Sequence, residues 1–135
     1  MSIENVKEFK EQADAFAPLY SHKYMLLTTY RKNGEAVPTP VWFAPEHGKL
    51  YVMTIGNAGK VKRIRNQAHV TLAPCGQIGK VLGPSIEARA RELPAESFSR
   101  ARHLLKQKYG LMHGLFTFLG RLRKVQRTFI EIEPA

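Results

Sequence analysis

The chain has 135 residues, of which 44% are hydrophobic, and this length predicts one domain over residues 1–135 with a core of its own. Its 21 lysines and arginines against 11 acids give a formal net charge of +10, which indicates acidic partners such as phosphates, an anionic surface or nucleic acid. The single cysteine, Cys75, excludes an intramolecular disulfide and fits a reducing cytoplasm.

The N-terminal segment predicts an amphipathic helix. Apolar residues recur at steps of three and four from Ile3 to Phe16, Ser2 is a candidate N-cap, and Pro18 ends the pattern. Acids and lysines lie between the apolar residues, so we expect neither a signal peptide nor a transmembrane span here. We therefore expect a soluble, cytoplasmic protein.

Three β-rich runs follow, separated by two turn signals. The first two, Tyr24–Tyr30 and Ala36–Phe43, flank Asn33-Gly34, which is a strong hairpin signal. A second turn at residues 45–48 leads into Lys49–Ile55. The pattern predicts an antiparallel meander of three strands.

The second of these strands contains Pro38 and Pro40, two residues apart. Each proline removes an N–H group on the same side, so the strand cannot pair regularly with two neighbours and is predicted to be an edge strand. In a second interpretation, the interrupted edge leaves backbone groups free for a planar, hydrogen-bonding ligand, with Trp42 close by.

The rest of the chain predicts two helices and three more strands. In chain order they are a basic helix over Gly59–Asn66, strands over His69–Cys75 and Lys80–Leu93, a helix from Phe98 to Tyr109, and a sixth strand over Thr128–Ile132. Six strands with few helices favour a closed or nearly closed barrel, because closure removes exposed sheet edges.

The basic helix carries four cations and no acid directly after a predicted strand. A glycine there lets the backbone approach an anion, the free N–H groups of the helix start point at it, and the cations neutralise it. Helical spacing places Lys60 beside Arg63, and Lys62 beside Arg65. We predict that Lys60 and Arg63 bind a phosphate.

Side chains suited to catalysis are scarce in the sequence. The histidines show no metal-ligand spacing, so no metal site is predicted, and the absence of GxGxxG and Walker A motifs argues against Rossmann and P-loop folds. Glu87 is the one acid with a candidate internal position, for which an ion pair beside Arg89 is the better interpretation, and Cys75 with His69 is the one candidate nucleophile pair. No catalytic residue is predicted, and a bound cofactor is expected to carry the chemistry.

Seven stretches of the chain together match a known pattern, in order, between about Tyr20 and Ile132. They are Lys23–Lys32, Thr39–Phe43, Leu50–Thr54, Gly59–Asn66, Val70–Cys75, Ala88–Ala90 and Lys108–Gly110. On these the chain resembles the pyridoxamine-phosphate-oxidase-like split β-barrel superfamily, and within it the branch of deazaflavin (coenzyme F-420) dependent oxidoreductases. The resemblance implies a mainly β fold with flanking helices, a six-stranded antiparallel split β-barrel, which works as a homodimer.

The resemblance also implies a cofactor site and a reaction. The implied cofactor-binding residues are Thr39, Pro40, Val41, Trp42, Thr54, Gly59, Lys60 and Arg63. Pro38 and Phe43 stand where vitamin B6 oxidases carry basic residues, which opposes vitamin B6 oxidation and favours F-420 over FMN. The resemblance thus implies hydride transfer between F-420 and a small organic substrate, with FMN or haem as alternative cofactors. It places the cofactor sites at the dimer interface, where Arg121–Lys124 could reach a cofactor tail.

Two other functions would also suit the positive charge. Nucleic-acid binding is opposed because no aromatic residues interleave the basic clusters at Lys60–Arg65 and Arg121–Arg127. Attachment to a membrane surface through Leu111–Arg121 is opposed by the glycines of that segment, for which burial is the better interpretation. We therefore expect no nucleic-acid partner and no stable membrane insertion.

Overall fold

Alternating buried and half-buried side chains along the chain build an antiparallel sheet in the computed structural model, which describes residues 15–55, 58–110 and 127–135. The strands of this part are β1 (Tyr24–Tyr30), β2 (Ala36–Val41), β3 (Ala44–Glu46), β4 (Lys49–Ile55), β5 (His69–Cys75), β6 (Ile86–Glu92) and β7 (Arg127–Pro134). Its helices are α1 (Gly59–Asn66) and α2 (Phe98–Tyr109), with short 3-10 turns at Ala17–Leu19 and Ala95–Ser97.

The sheet order is β2-β1-β5-β6-β7-β4-β3, which places β2 and β3 at the two edges. These two edge strands are consecutive in the sequence, and only Trp42 and Phe43 separate them. Three Cα steps span at most about 11 Å, so the sheet must curl until its two edges meet at this link. The result is a curled half-barrel whose edges the chain itself joins.

The strand pairings agree with the sequence for the first hairpin and differ from it for the meander. The β1–β2 hairpin is confirmed, since Tyr30 pairs with Ala36 and Gly34 takes the positive φ of +88° that this turn requires. The predicted meander is wrong, because β4 pairs with β3 and β7 and not with β2. The predicted second strand ends at Val41 instead of Phe43, and an unpredicted strand, β3, begins at Ala44 and runs into the predicted turn, so the described residues form seven strands rather than six.

The predicted edge strand is confirmed, because among the described strands β2 pairs only with β1. The predicted fifth strand, Lys80–Leu93, begins later than expected, at Ile86. Before it, only an isolated bridge joins Cys75 to Val81. A Cβ atom on Gly83 would lie 2.8 Å from Cγ of Pro74, so the backbone at Gly83 is packed against β5.

Two apolar clusters hold the fold together. The inner core fills the concave side of the sheet and includes Phe16 and Phe43, and α1 closes it with Val61 and Ile64. The second cluster lies on the outer side, where α2 packs against Phe129 and its neighbours. Each such side chain contributes about 1.5–3 kcal/mol on full burial, so α1 is fixed firmly against the sheet.

Some predictions fall outside the described residues. These are the N-terminal helix up to residue 14, the apolar segment Leu111–Arg121 and the basic segment Arg121–Lys124. Within the described ranges, α1, α2 and β5 are confirmed with the predicted bounds, and the predicted sixth strand corresponds to β7. None of the helices in these ranges is long and apolar enough to cross a membrane.

Candidate functional site

The start of α1 is an uncapped helix end beside the sheet. Ala58 precedes the helix in an extended conformation, no side chain of the described residues caps the helix, and its first turn contains no acid. Val61 and Ile64 anchor the helix in the inner core, which fixes where this end lies. The partial positive charge of the helix start is therefore available to an anion.

Lys60 lies at this helix start, half-buried. Its Nζ donates a hydrogen bond to Oγ1 of Thr54 near the end of β4, at 3.3 Å. Burial lowers the pKa of Lys60, and the positive charge of Arg63 lowers it further. The lysine is thus held by a neutral hydroxyl in a place that disfavours its charge.

Arg63 lies one turn further along α1 and is held in a similar way. Its Nε donates to Oγ1 of Thr29 at 2.6 Å, and Thr29 is almost fully buried on β1. Burial lowers the pKa of Arg63, and the nearby Arg31 lowers it further. Arg31 itself lies 3.6 Å from a carboxylate oxygen of Glu35, and both side chains are largely exposed.

The other two cations of α1 have different surroundings. Arg65 binds Glu92 through three hydrogen bonds of 2.8–3.0 Å, so its charge is already neutralised. Lys62 is exposed on the outer side of the helix. Within the described residues, neither Lys60 nor Arg63 forms a salt bridge with a carboxylate. The structure thus brings together Thr54, Gly59, Lys60 and Arg63 of the predicted site and adds Thr29 to them.

The predicted site residues on β2 lie along the sheet edge. Thr39 pairs with Leu27 and is the diagonal neighbour of Thr29, at a typical separation of about 7–8 Å. Val41 is buried in the inner core, so only its backbone could contact a ligand. Pro38 and Pro40 alternate along β2 with the residues that form hydrogen bonds to β1. The backbone groups of the two prolines therefore face the open edge of the sheet, where they offer carbonyl acceptors and no N–H donors.

Trp42 is separated from the cations. Its ring stacks on Tyr109 at 4.5 Å and lies 6.5 Å from the ring of Tyr24, at the first residue of β1. Thr29 is five residues further along that strand, which corresponds to roughly 17 Å. Trp42 therefore lies at the other end of the sheet from Thr29. Within one chain, its ring does not reach the start of α1.

The structure also decides two minor predictions about catalysis. Cys75 and His69 are the two ends of β5, roughly 20 Å apart, so they cannot form a nucleophile pair. Glu87 is exposed and lies 2.9 Å from Nε2 of His69, so it is not an internal residue of the barrel. Among the described residues no group of three or more His, Cys, Asp or Glu side chains could hold a metal ion.

Comparison with known proteins identifies the family. The model of the pyridoxamine 5′-phosphate oxidase family matches residues 9–135. The chain belongs to this family. The split-barrel relationship predicted from the sequence is thus confirmed, whereas the F-420 branch stays a prediction. No curated protein matches the sequence.

Solved structures of the pyridoxamine 5′-phosphate oxidase fold resemble the chain over most of its length. HutZ, a haem storage protein of Vibrio cholerae, covers 98% of this chain and 89% of its own with a TM-score of 0.64 and 13% identity. An FAD-binding protein of Mesorhizobium loti covers 90% and 85% with a TM-score of 0.60 and 16% identity. General Stress Protein 26 of Bacillus anthracis covers 92% and 89% with a TM-score of 0.58 and 16% identity. At these identities the likeness shows the shared fold.

Two site residues were not predicted from the sequence. Thr29 occupies a core position of β1, in line with Met25 and Leu27, and a buried hydroxyl there calls for a hydrogen-bonding partner. That signal is present in the strand pattern, but it does not identify Arg63 as the partner. Arg31 gives no signal, because exposed arginines at strand ends are common.

Proposed function

We propose that this protein binds the phosphate of a flavin-type cofactor at the start of α1 and is an oxidoreductase. The observation that carries the proposal is the pairing of Lys60 with Thr54 and of Arg63 with Thr29. A hydroxyl fixes the position of a cation without neutralising it, so both charges remain available to a ligand. Burial and then a neighbouring arginine lower both pKa values, and the negative charge of a bound phosphate would oppose this lowering.

The residues present fit a phosphate-bearing cofactor. Lys60 and Arg63 would hold the phosphate, and the uncapped N–H groups of the helix start would add to this binding. The carbonyl groups at Pro38 and Pro40 could accept hydrogen bonds from ring N–H groups. The cofactor, when bound, supplies the site that accepts or donates a hydride. The protein's part is to bind the phosphate, orient the ring and limit access of water.

Among such cofactors we propose F-420, with a small organic molecule as the substrate. The support is the sequence resemblance and the absence of basic side chains at Pro38 and Phe43 of the edge strand and its link. FMN is the second candidate, because it carries the same phosphate chemistry and because a structural neighbour is an FAD-binding protein. A haem, by contrast, has carboxylates and no phosphate.

We further propose that the protein is a cytoplasmic homodimer whose cofactor sites lie at the interface between the two copies. Exposed apolar side chains in the loop between β5 and β6 support this: Ile78, Val81 and Leu82 are 93%, 51% and 54% exposed. The loop lies beside the edge strand, since a Cβ atom on Gly79 would be 3.8 Å from Cγ of Pro40. A second copy covering this loop would remove apolar surface from water.

The cofactor proposal is tested by titrating the purified protein with oxidised F-420 and, separately, with FMN, followed by fluorescence. We expect micromolar binding of F-420, weaker binding of FMN, and a loss of at least about tenfold for Lys60→Ala, as expected for a hydrogen-bonded charge. Lys62→Ala removes an equal charge from the exposed side of the same helix and should bind like the wild type.

The outcomes separate the candidates. Preference for FMN would assign the protein to the flavin-binding members, whereas binding of neither cofactor, or equal losses in both variants, would contradict the proposal. Sedimentation of the protein with and without cofactor tests the dimer, and a monomer under both conditions would exclude an interface site.

A further inference from the structure

We propose that Thr29 is a positioning residue, which acts with Gly59 to fix the guanidinium of Arg63 before a ligand arrives. The inference rests on the proposed function, since it concerns the same phosphate site. Beyond the proposed function, the inference states that one residue of the sheet and one residue of the helix fix the orientation of Arg63.

The first contact comes from the sheet. Thr29 is 1% exposed, and its Oγ1 accepts a hydrogen bond from Nε of Arg63 at 2.6 Å. A bond to Nε does not use the end edge of the guanidinium, which Nη1 and Nη2 form, so these two nitrogens can still donate to an anion as a pair. A carboxylate in place of this threonine would hold the arginine more strongly but would cancel its charge.

The second contact comes from the helix start. A Cβ atom on Gly59 would lie 2.7 Å from Nη1 of Arg63, closer than real Cβ contacts, and within 3.7 Å of Cζ and Nη2. The backbone of Gly59 is helical and does not require a glycine. Space for the guanidinium is therefore the reason for a glycine here. Because Thr29 holds Nε, an added methyl group would turn the terminal nitrogens out of place.

An arginine fixed in this way loses little conformational freedom when the phosphate binds, which raises the affinity. Loss of either contact should therefore weaken binding of the phosphate and leave the rest of the cofactor unaffected. A purely structural role would instead change the stability of the protein and the affinity for every ligand alike. These two expectations can be distinguished by experiment.

The experiment compares two ligands that differ in the phosphate-bearing group: FMN with riboflavin, or F-420 with its phosphate-free deazariboflavin core, whichever pair the wild type binds. We expect Thr29→Val to reduce the affinity for the phosphate-bearing ligand about tenfold, a factor that corresponds to about 1.4 kcal/mol, without changing that for the other. Thr29→Ser keeps the hydroxyl and should retain most of the preference. Thr71→Val removes a hydroxyl that bonds Tyr30 elsewhere on the sheet and serves as the matched control.

Gly59→Ala provides an independent test with effects of opposite sign. Alanine favours a helix more than glycine does, so the melting temperature should stay the same or rise. Phosphate-dependent binding should nevertheless fall by a similar factor, because Arg63 is displaced. In an Arg63→Ala background, neither Thr29→Val nor Gly59→Ala should cause a further loss.

The two proposals fail in different ways. If the wild type shows no preference for the phosphate-bearing ligand of either pair, the proposed function is wrong. If it shows the preference and Thr29→Val retains it, Thr29 does not position Arg63. If Thr29→Val or Gly59→Ala still weakens binding in the Arg63→Ala background, these residues act through the structure in general, and the positioning role is refuted.

Discussion

Lys108, near the end of α2, carries a buried amine and allows a quantitative prediction. Its Nζ finds no hydrogen-bond partner among the described residues and lies 3.3 Å from the ring centroid of Phe43. Burial lowers its pKa from 10.5 to about 8. The lysine is therefore charged at neutral pH in a position that disfavours the charge, and its replacement by an apolar residue should stabilise the fold.

The magnitude follows from the pKa. The difference between 10.5 and about 8 corresponds to at most about 3 kcal/mol of destabilisation at neutral pH, and solvent screening at this half-buried side chain reduces that figure. The attraction between the ammonium and the ring of Phe43 offsets about 1–2 kcal/mol of this. Lys108→Met keeps most of the apolar stem, so it should raise the free energy of unfolding by about 1–2 kcal/mol at pH 7.

The pH dependence gives a sharper test. The folded-state pKa of Lys108 is below the unfolded one, so between pH 8 and 10.5 the unfolded chain binds more protons and wild-type stability gains from rising pH. The advantage of Lys108→Met should therefore shrink across this window and vanish above it. Urea unfolding of wild type, Lys108→Met and the exposed control Lys106→Met at pH 7 and pH 10 measures this. A loss of stability at pH 7, or a difference that does not change with pH, would refute the reasoning.

Three further predictions concern contacts elsewhere in the fold. The hydroxyl of Tyr109 accepts a hydrogen bond from the backbone N–H of Phe43 at 2.9 Å, so Tyr109→Phe should cost about 1–3 kcal/mol in urea unfolding, and unchanged stability would show that this amide finds another partner. Burial raises the pKa of Glu131, but hydrogen bonding, first of all with Arg91, lowers it overall, so its contribution to stability is present above the unfolded pKa near 4.5 and is lost as pH falls through the folded one. Glu131→Gln should therefore destabilise the protein at pH 7 and have a smaller effect at pH 3; equal effects would contradict this. Cys75 is 2% exposed and burial raises its pKa, so a thiol reagent should label it only at the rate of unfolding, and fast labelling of the native protein would show an opening at this strand end.

Elements with a local signal could be predicted from the sequence. The bounds of α1 and β5 were predictable from local residues, because Val61 and Ile64 recur at helical spacing in α1 and β5 is a mainly apolar run that ends before Gly76. Asn33-Gly34 marked the first hairpin, and Pro38 with Pro40 marked an edge strand, because a missing N–H group has the same consequence in any sheet.

The choice of partner strands could not be predicted. β4 pairs with β7, which lies near the other end of the chain, and nothing in the sequence of Lys49–Ile55 favours that partner over β2. Both possibilities bury the same alternating side chains. The outcome depends on the curl of the whole sheet, which brings β2 and β3 together at Trp42 and Phe43.

In the candidate site, too, relations within one element could be predicted from the sequence, whereas relations between elements could not. Helical spacing placed Lys60 and Arg63 together, since that relation is fixed within α1. Thr29 escaped prediction because threonine is common in strands, and its role depends on where α1 lies against β1. Trp42 was grouped with the site because it follows Thr39–Val41 in sequence, but an extended strand carries successive residues away from one another.

The meaning of a basic cluster depends on the groups that accept hydrogen bonds from it. The charges of Arg65 and Arg91 are met by carboxylates, and these pairs stabilise the sheet and the helix without inviting a ligand. At the start of α1, Lys60 and Arg63 are met by threonine hydroxyls, although an acid at position 29 or 54 would have made stronger pairs within the protein. A fold selected for stability alone has no use for neutral acceptors at two half-buried cations. A fold that must bind an anion needs them, because the cations have to be fixed and still charged when the anion arrives.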